Sequence, residues 1–92
     1  MGTVNAPELI RRVNPEYPKK ARKQRTEGTV RIYAIIGKDG VPHDLLVKGD
    51  PLLNEAAIKA VQQWRYQPGS LSGVPVEIDV IVDVFFQLKG KH

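Results

Sequence analysis

The sequence predicts an α+β domain in which two helices pack on one face of a three-stranded antiparallel sheet. Three observations lead there: period-two alternation on both sides of an Asp39-Gly40 turn, an apolar stripe of helical spacing after Asp50-Pro51, and unbroken alternation from Val74 to Leu88. The predicted order is helix, strand, strand, helix, strand, with no internal repeat or low-complexity tract.

Met1 to Asn14 holds Gly2, Asn5 and Pro7 before a short apolar patch of Leu9, Ile10 and Val13, broken by Arg11 and Arg12. Residues 1–14 therefore read as the end of a leader or linker, with at most one helical turn or a short extended piece. Residues 15–90 read as the domain proper. Pro15 and Pro18 each restrict the residue before them, and Pro18 suits the first position of a helix. Lys19 to Arg25 is that helix, with Tyr17 and Ala21, four apart, as its apolar contacts.

From Thr29 the period becomes two: Val30, Ile32, Ala34 and Ile36 alternate with Thr29, Arg31, Tyr33 and Ile35. Asp39-Gly40 between two alternating runs is a hairpin signal, so Val41 to Lys48 returns antiparallel with Leu45 and Val47 inward. Pro42 has no N–H for a ladder and belongs at that strand's start or on an edge. Asp50-Pro51 supplies a cap residue and a proline for the first turn of the second helix. Leu53, Ala57, Ala60, Val61 and Trp64 form its apolar stripe, while Asn54, Glu55, Lys59, Gln62 and Gln63 face water. Pro68-Gly69 ends the segment and Ser70 to Gly73 reads as a loop.

In the last element Val74, Val76, Ile78, Val80, Val82, Val84, Phe86 and Leu88 share one face. Pro75, Glu77, Asp79, Ile81, Asp83, Phe85 and Gln87 share the other. Val74 to Leu88 far exceeds the usual strand of about 5–6 residues, so the sequence calls for a bulge or for a portion projecting past its neighbours.

At 92 residues the chain makes one domain, and 41% hydrophobic with 26% charged residues suits a folded globule. With no cysteine it has neither disulfide nor thiolate metal site. No run approaches the roughly 20 apolar residues that span a bilayer, and Met1 to Pro7 has no signal-peptide pattern. Any membrane anchor is expected upstream. The net charge of +4 is concentrated in Arg11, Arg12, Lys19, Lys20, Arg22, Lys23 and Arg25.

Catalysis is not expected. His43 and His92 are the only histidines, and Ser70 and Ser72 lack a nucleophile-elbow pattern. His43-Asp44 falls short of metal-ligand spacing, and no glycine loop cradles phosphate, so neither metal nor cofactor is expected. Glu77, Asp79 and Asp83 on one strand face read as charges that discourage edge-to-edge aggregation. The basic run Lys19 to Arg25 is the one feature that suits nucleic acid or an anionic surface. It lacks interleaved aromatics, and a solvated helix face is the plainer reading.

Tyr17-Pro18 with Ala21, then Glu27-Gly28-Thr29-Val30 leading to the Asp39-Gly40 turn, resembles the front half of the TonB carboxy-terminal domain. Ala56-Ala57, Ala60-Val61 and Trp64-Arg65-Tyr66 before Pro68 resemble its second helix and exit, and Gly73 through Phe86 its final strand. The resemblance spans Pro15 to Leu88. It implies a periplasmic domain of an energy transducer anchored in the inner membrane, powered there by a proton-driven motor complex and acting on outer-membrane TonB-dependent transporters. It further implies that the transporter's amino-terminal box adds as a strand along Ile78, Asp79, Val80, Ile81, Val82, Asp83, Val84, Phe85 and Phe86, with a further contact at Asn14. Tyr17, Trp64, Arg65 and Tyr66 match supporting positions of the family. Nucleic acid is not among the partners so implied, and the basic helix remains the competing basis for such binding. A long edge strand also permits a homodimer by strand pairing or swapping.

Overall fold

The structure, a computed structural model, describes residues 2–89. The expected domain limit at 90, with Lys91 and His92, lies outside the described residues. The chain opens with two short strands, β1 (Val4–Asn5) and β2 (Glu8–Arg11), and then reaches helix α1 (Lys19–Lys23). Strands β3 (Gly28–Ile36) and β4 (Pro42–Lys48) form a hairpin, followed by helix α2 (Pro51–Gln62). Strands β5 (Arg65–Gln67), β6 (Ser70–Leu71), β7 (Val74–Pro75) and β8 (Ile78–Phe86) complete the order.

The expected three-stranded antiparallel sheet is present, in the order β4-β3-β8. Val30, Ile32, Ala34 and Ile36 of β3, with Val84 and Phe86 of β8, turn one face into the core. There they meet Ala21 of α1 and Leu53, Ala57 and Val61 of α2. Both helices thus cover the same face. Removing an almost fully buried side chain from this set, for example by Leu53→Ala, costs about 2–5 kcal/mol.

Local chemistry explains the helix ends. Asp50 is extended, and its carboxylate accepts the Leu52 N–H at 2.8 Å, while Pro51 occupies a first-turn position whose N–H would be unpaired anyway. Helix α1 stops at Lys23, short of the expected Arg25, because Arg25 takes a left-handed conformation with φ 55°. The Thr26 N–H then bonds Ala21 O at 2.8 Å and the Arg25 N–H bonds Arg22 O at 3.1 Å, closing a Schellman-type end on a non-glycine residue.

Several expectations need correction. The sheet is not the only one: β2 pairs with β5, and β1, β6 and β7 form a third small sheet. Residues 1–14, expected to hold at most a helical turn or a short extended piece, contribute two strands that pair with residues of the 65–71 stretch. The stretch 70–73 is a hairpin rather than a loop, with Ser72 and Gly73 at positive φ in its turn. The single strand expected from Val74 to Leu88 is broken at Val76 and Glu77 into β7 and β8. These misses share a physical cause. Strands of two to four residues with exposed side chains leave no burial pattern to detect.

Two irregularities shape the rest. Between β3 and β4 the register moves so that Asp44 and Leu45 both oppose Ala34, and Asp44 sits at φ 52°, the geometry of a β-bulge. The β2–β5 pairing likewise skips Ile10.

Candidate functional site

Among the described residues, β8 pairs with β3 on one side and with no strand on the other. Its register against β3 is unbroken over nine pairs, from Gly28↔Phe86 to Ile36↔Ile78. In an antiparallel ladder alternate residues aim their N–H and C=O away from the partner, so this margin presents a row of unpaired donors and acceptors. The opposite margin of the sheet, β4, differs in three ways. It starts at Pro42, carries the bulge at Asp44 and Leu45, and ends in Lys48. Each is a device that blunts an edge. β8 has no proline, no bulge and no lysine.

Both ends of β8 are held. At its start, the Val76 N–H bonds Gly69 O at 3.0 Å. Ile78 lies so close to Gly69 that a Cβ there would come within 2.3 Å of Ile78 Cδ1. Glu77 reaches His43: Nε2 of the imidazole lies 3.1 Å from Glu77 Oε2, and Nδ1 lies 3.1 Å from Asp44 Oδ2. With a carboxylate at each ring nitrogen the charged imidazolium is favoured, and the bond to Glu77 above all raises the His43 pKa over its ordinary value. At the other end Phe86 is buried and meets the Tyr17 ring edge-on, with centroids 5.5 Å apart. The Leu88 N–H bonds Glu27 Oε2 at 3.1 Å.

The two faces of β8 differ. Val84 and Phe86 are buried and Ile78, Val80 and Val82 half-buried on the helix side. On the open side stand Asp79, Ile81, Asp83 and Phe85, with Ile81 60% and Phe85 67% exposed. Arg31 of β3, directly opposite Asp83, grips it in a two-pronged pair at 2.9 and 3.1 Å. The guanidinium holds the Asp83 carboxyl below the usual range and is itself raised by the same bonds.

The supporting residues lie inside the fold. Tyr17 is partly buried, and its O–H donates to Thr26 O while the Arg22 guanidinium sits 5.1 Å from its ring centroid. Burial is the main cause that raises its pKa. Trp64 is a core residue, 4% exposed, whose Nε1–H donates to Val13 O at 2.8 Å while Arg12 lies over its ring. Arg65 donates to Gln62 O and Trp64 O, satisfying carbonyls at the exit of α2. Tyr66 is buried, and its N–H bonds Gly40 O at 2.9 Å. Asn14 is exposed and lines a cleft formed by the 15–19 stretch and α2, to which β8 contributes no lining residue.

Sequence reasoning missed the His43–Glu77 contact, because it depends on the break before β8. It also gave no partner to Asp83, although Arg31 lies on the matching face of the neighbouring strand. Among the described residues no cluster of histidine, cysteine or acidic side chains could hold a metal ion, and no helix is long and apolar enough to cross a membrane.

Comparison with known proteins gives concordant results. The family described as "Gram-negative bacterial TonB protein C-terminal" matches residues 13–88. Protein TonB of Vibrio cholerae is 35% identical over 91 residues, covering 95% of this chain and 37% of that protein. Protein TonB of Escherichia coli K12 is 28% identical over 89 residues, covering 94% of this chain and 35% of that protein. The chain thus spans little more than a third of the length of these relatives. The solution NMR structure of the Pseudomonas aeruginosa TonB CTD superimposes with a TM-score of 0.75 at 24% identity, covering 94% of this chain and 90% of that one, which establishes the shared fold.

Proposed function

The chain belongs to the TonB carboxy-terminal family, and from that premise we propose that it is the periplasmic, partner-gripping domain of an energy transducer. On this reading it takes the amino-terminal box of outer-membrane TonB-dependent transporters as a fourth strand beside β8 and passes force to it without any catalytic step. The rest of the protein, upstream of residue 1, anchors it in the inner membrane and couples it to a proton-driven complex. A second copy could use the same margin, so a homodimer formed this way would compete with the transporter.

The observation that supports this reading best is the contrast between the two margins of the sheet. β4 is blunted, whereas β8 is nine residues long, regular, and held at both ends. Strand addition rewards such an edge, because main-chain bonds supply affinity and alternate side chains supply specificity. An edge already fixed by Tyr17, Glu27, His43 and Gly69 loses little conformational freedom when a segment docks.

The test is a titration of isotope-labelled protein with a synthetic box peptide. Amide shifts concentrated in Ile78 to Phe86 are expected. Unchanged spectra at millimolar peptide, or shifts confined to Pro42 to Lys48, would reject strand addition at β8.

A further inference from the structure

We infer that the segment β8 accepts carries a basic side chain where it passes Asp79 and apolar side chains where it passes Ile81 and Phe85. This rests on the strand-addition reading and specifies the chemistry of its partner.

The argument follows from what each acid near that margin already does. Glu77 faces His43, which also faces Asp44, and Asp83 is held by Arg31 at two points. Asp79 is exposed, and among the described residues it has no ion-pair partner and no side-chain hydrogen bond. Its neighbour across β3 is Ile35, which offers no charge. The open face of β8 therefore presents, in order, a free carboxylate, an exposed isoleucine, a neutralised carboxylate and an exposed phenylalanine. Side chains directly opposite on paired strands lie within about 4.5–5.5 Å, close enough for charge and apolar contact to select the incoming residue. A basic group beside Asp79 gains a partner there, whereas an acidic one meets like charge. Beside Asp83 the same basic group gains little, because Arg31 occupies that carboxylate. Ile81 and Phe85 lose water only if covered by apolar groups two and six positions further along the same face.

The experiment uses a series of box-length peptides that differ by one lysine, moved through alternate positions, with glutamate and serine controls at each. One lysine placement is expected to tighten binding by about two- to five-fold over serine, the range of a cross-strand charge pair, and glutamate there to weaken it. Asp79→Asn should erase the lysine gain, and Asp79→Lys should transfer the preference to glutamate. Since Asp79 is exposed and makes no side-chain bond, neither variant endangers the fold. Serine in place of the apolar peptide residues should weaken binding several-fold to the wild type but not to the Ile81→Ser/Phe85→Ser variant. A lysine gain that survives in Asp79→Asn, or equal binding of all charge variants, overturns the inference while leaving strand addition intact. No binding by any peptide, at protein concentrations where residues 78–86 show no concentration-dependent broadening, overturns strand addition to a transporter segment and the inference with it.

Discussion

Gly40→Ala should be the most damaging small substitution at the hairpin, for reasons beyond turn propensity. Gly40 has φ 81°, a conformation that costs a side-chain-bearing residue about 1 kcal/mol. A Cβ there would also lie 2.0 Å from the carbonyl oxygen of Tyr66, well inside contact distance, so β5 must withdraw. Withdrawal breaks the 2.9 Å bond from the Tyr66 N–H to Gly40 O, worth about 1 kcal/mol and more if the groups stay dry. Together these reach roughly 3 kcal/mol, equivalent to a fall in Tm of about 10–25 °C for a domain of this size. Gly73→Ala is the matched control: its φ is 83°, yet nothing lies within 4 Å of the added Cβ, so it bears only the conformational cost. Thermal and urea unfolding followed by circular dichroism measures both. Equal losses in the two variants would refute the claimed contact between the β3–β4 turn and the exit strand.

Trp64→Phe keeps an aromatic ring in the core but leaves Val13 O without its donor and removes the indole beneath Arg12. A loss of about 2–3 kcal/mol in urea unfolding is expected, and one below about 0.5 kcal/mol would show that water replaces the bond. His43 has a raised pKa in the folded state, so its contribution is complete below the unfolded value of about 6.5 and fades as pH climbs through the folded value. Residue-specific NMR titration should place the His43 midpoint above that of an ordinary histidine, and Glu77→Gln should lower it. A midpoint at or below the ordinary value would remove the ion pair from the account.

Much of this architecture was legible in the sequence because burial writes a period. Val30 to Ile36 and Val80 to Phe86 alternate since one face meets the helices, and Leu53, Ala57 and Val61 recur at helical spacing since they meet the sheet. Asp39-Gly40 marked the hairpin, and Asp50-Pro51 marked the start of α2. What stayed hidden depends on pairing between distant segments. The strands at Val4, Glu8, Ser70 and Val74 are short and exposed, so their residues obey no amphipathic rule and their order comes from their partners. The role of Gly69, which lets Ile78 pass, and the capture of Glu77 by His43 are likewise facts of packing. The candidate margin was visible as a long alternation. Its quality as a margin, set by the bulge and proline of β4, emerged only once register was known.

The ribbon formed by residues 4–11 against 65–71 has a mechanical consequence. Its paired strands run antiparallel from Val4↔Leu71 to Arg11↔Arg65 and so share one axis. Tension on the chain ahead of Val4, drawn along that axis, runs parallel to the ribbon's strands and perpendicular to their lateral bonds. Those bonds then share the load in shear, whereas a sideways tug would peel them one after another from the tip. The direction of pull, as much as its size, would decide whether this end of the molecule behaves as a stiff rod or as a zip.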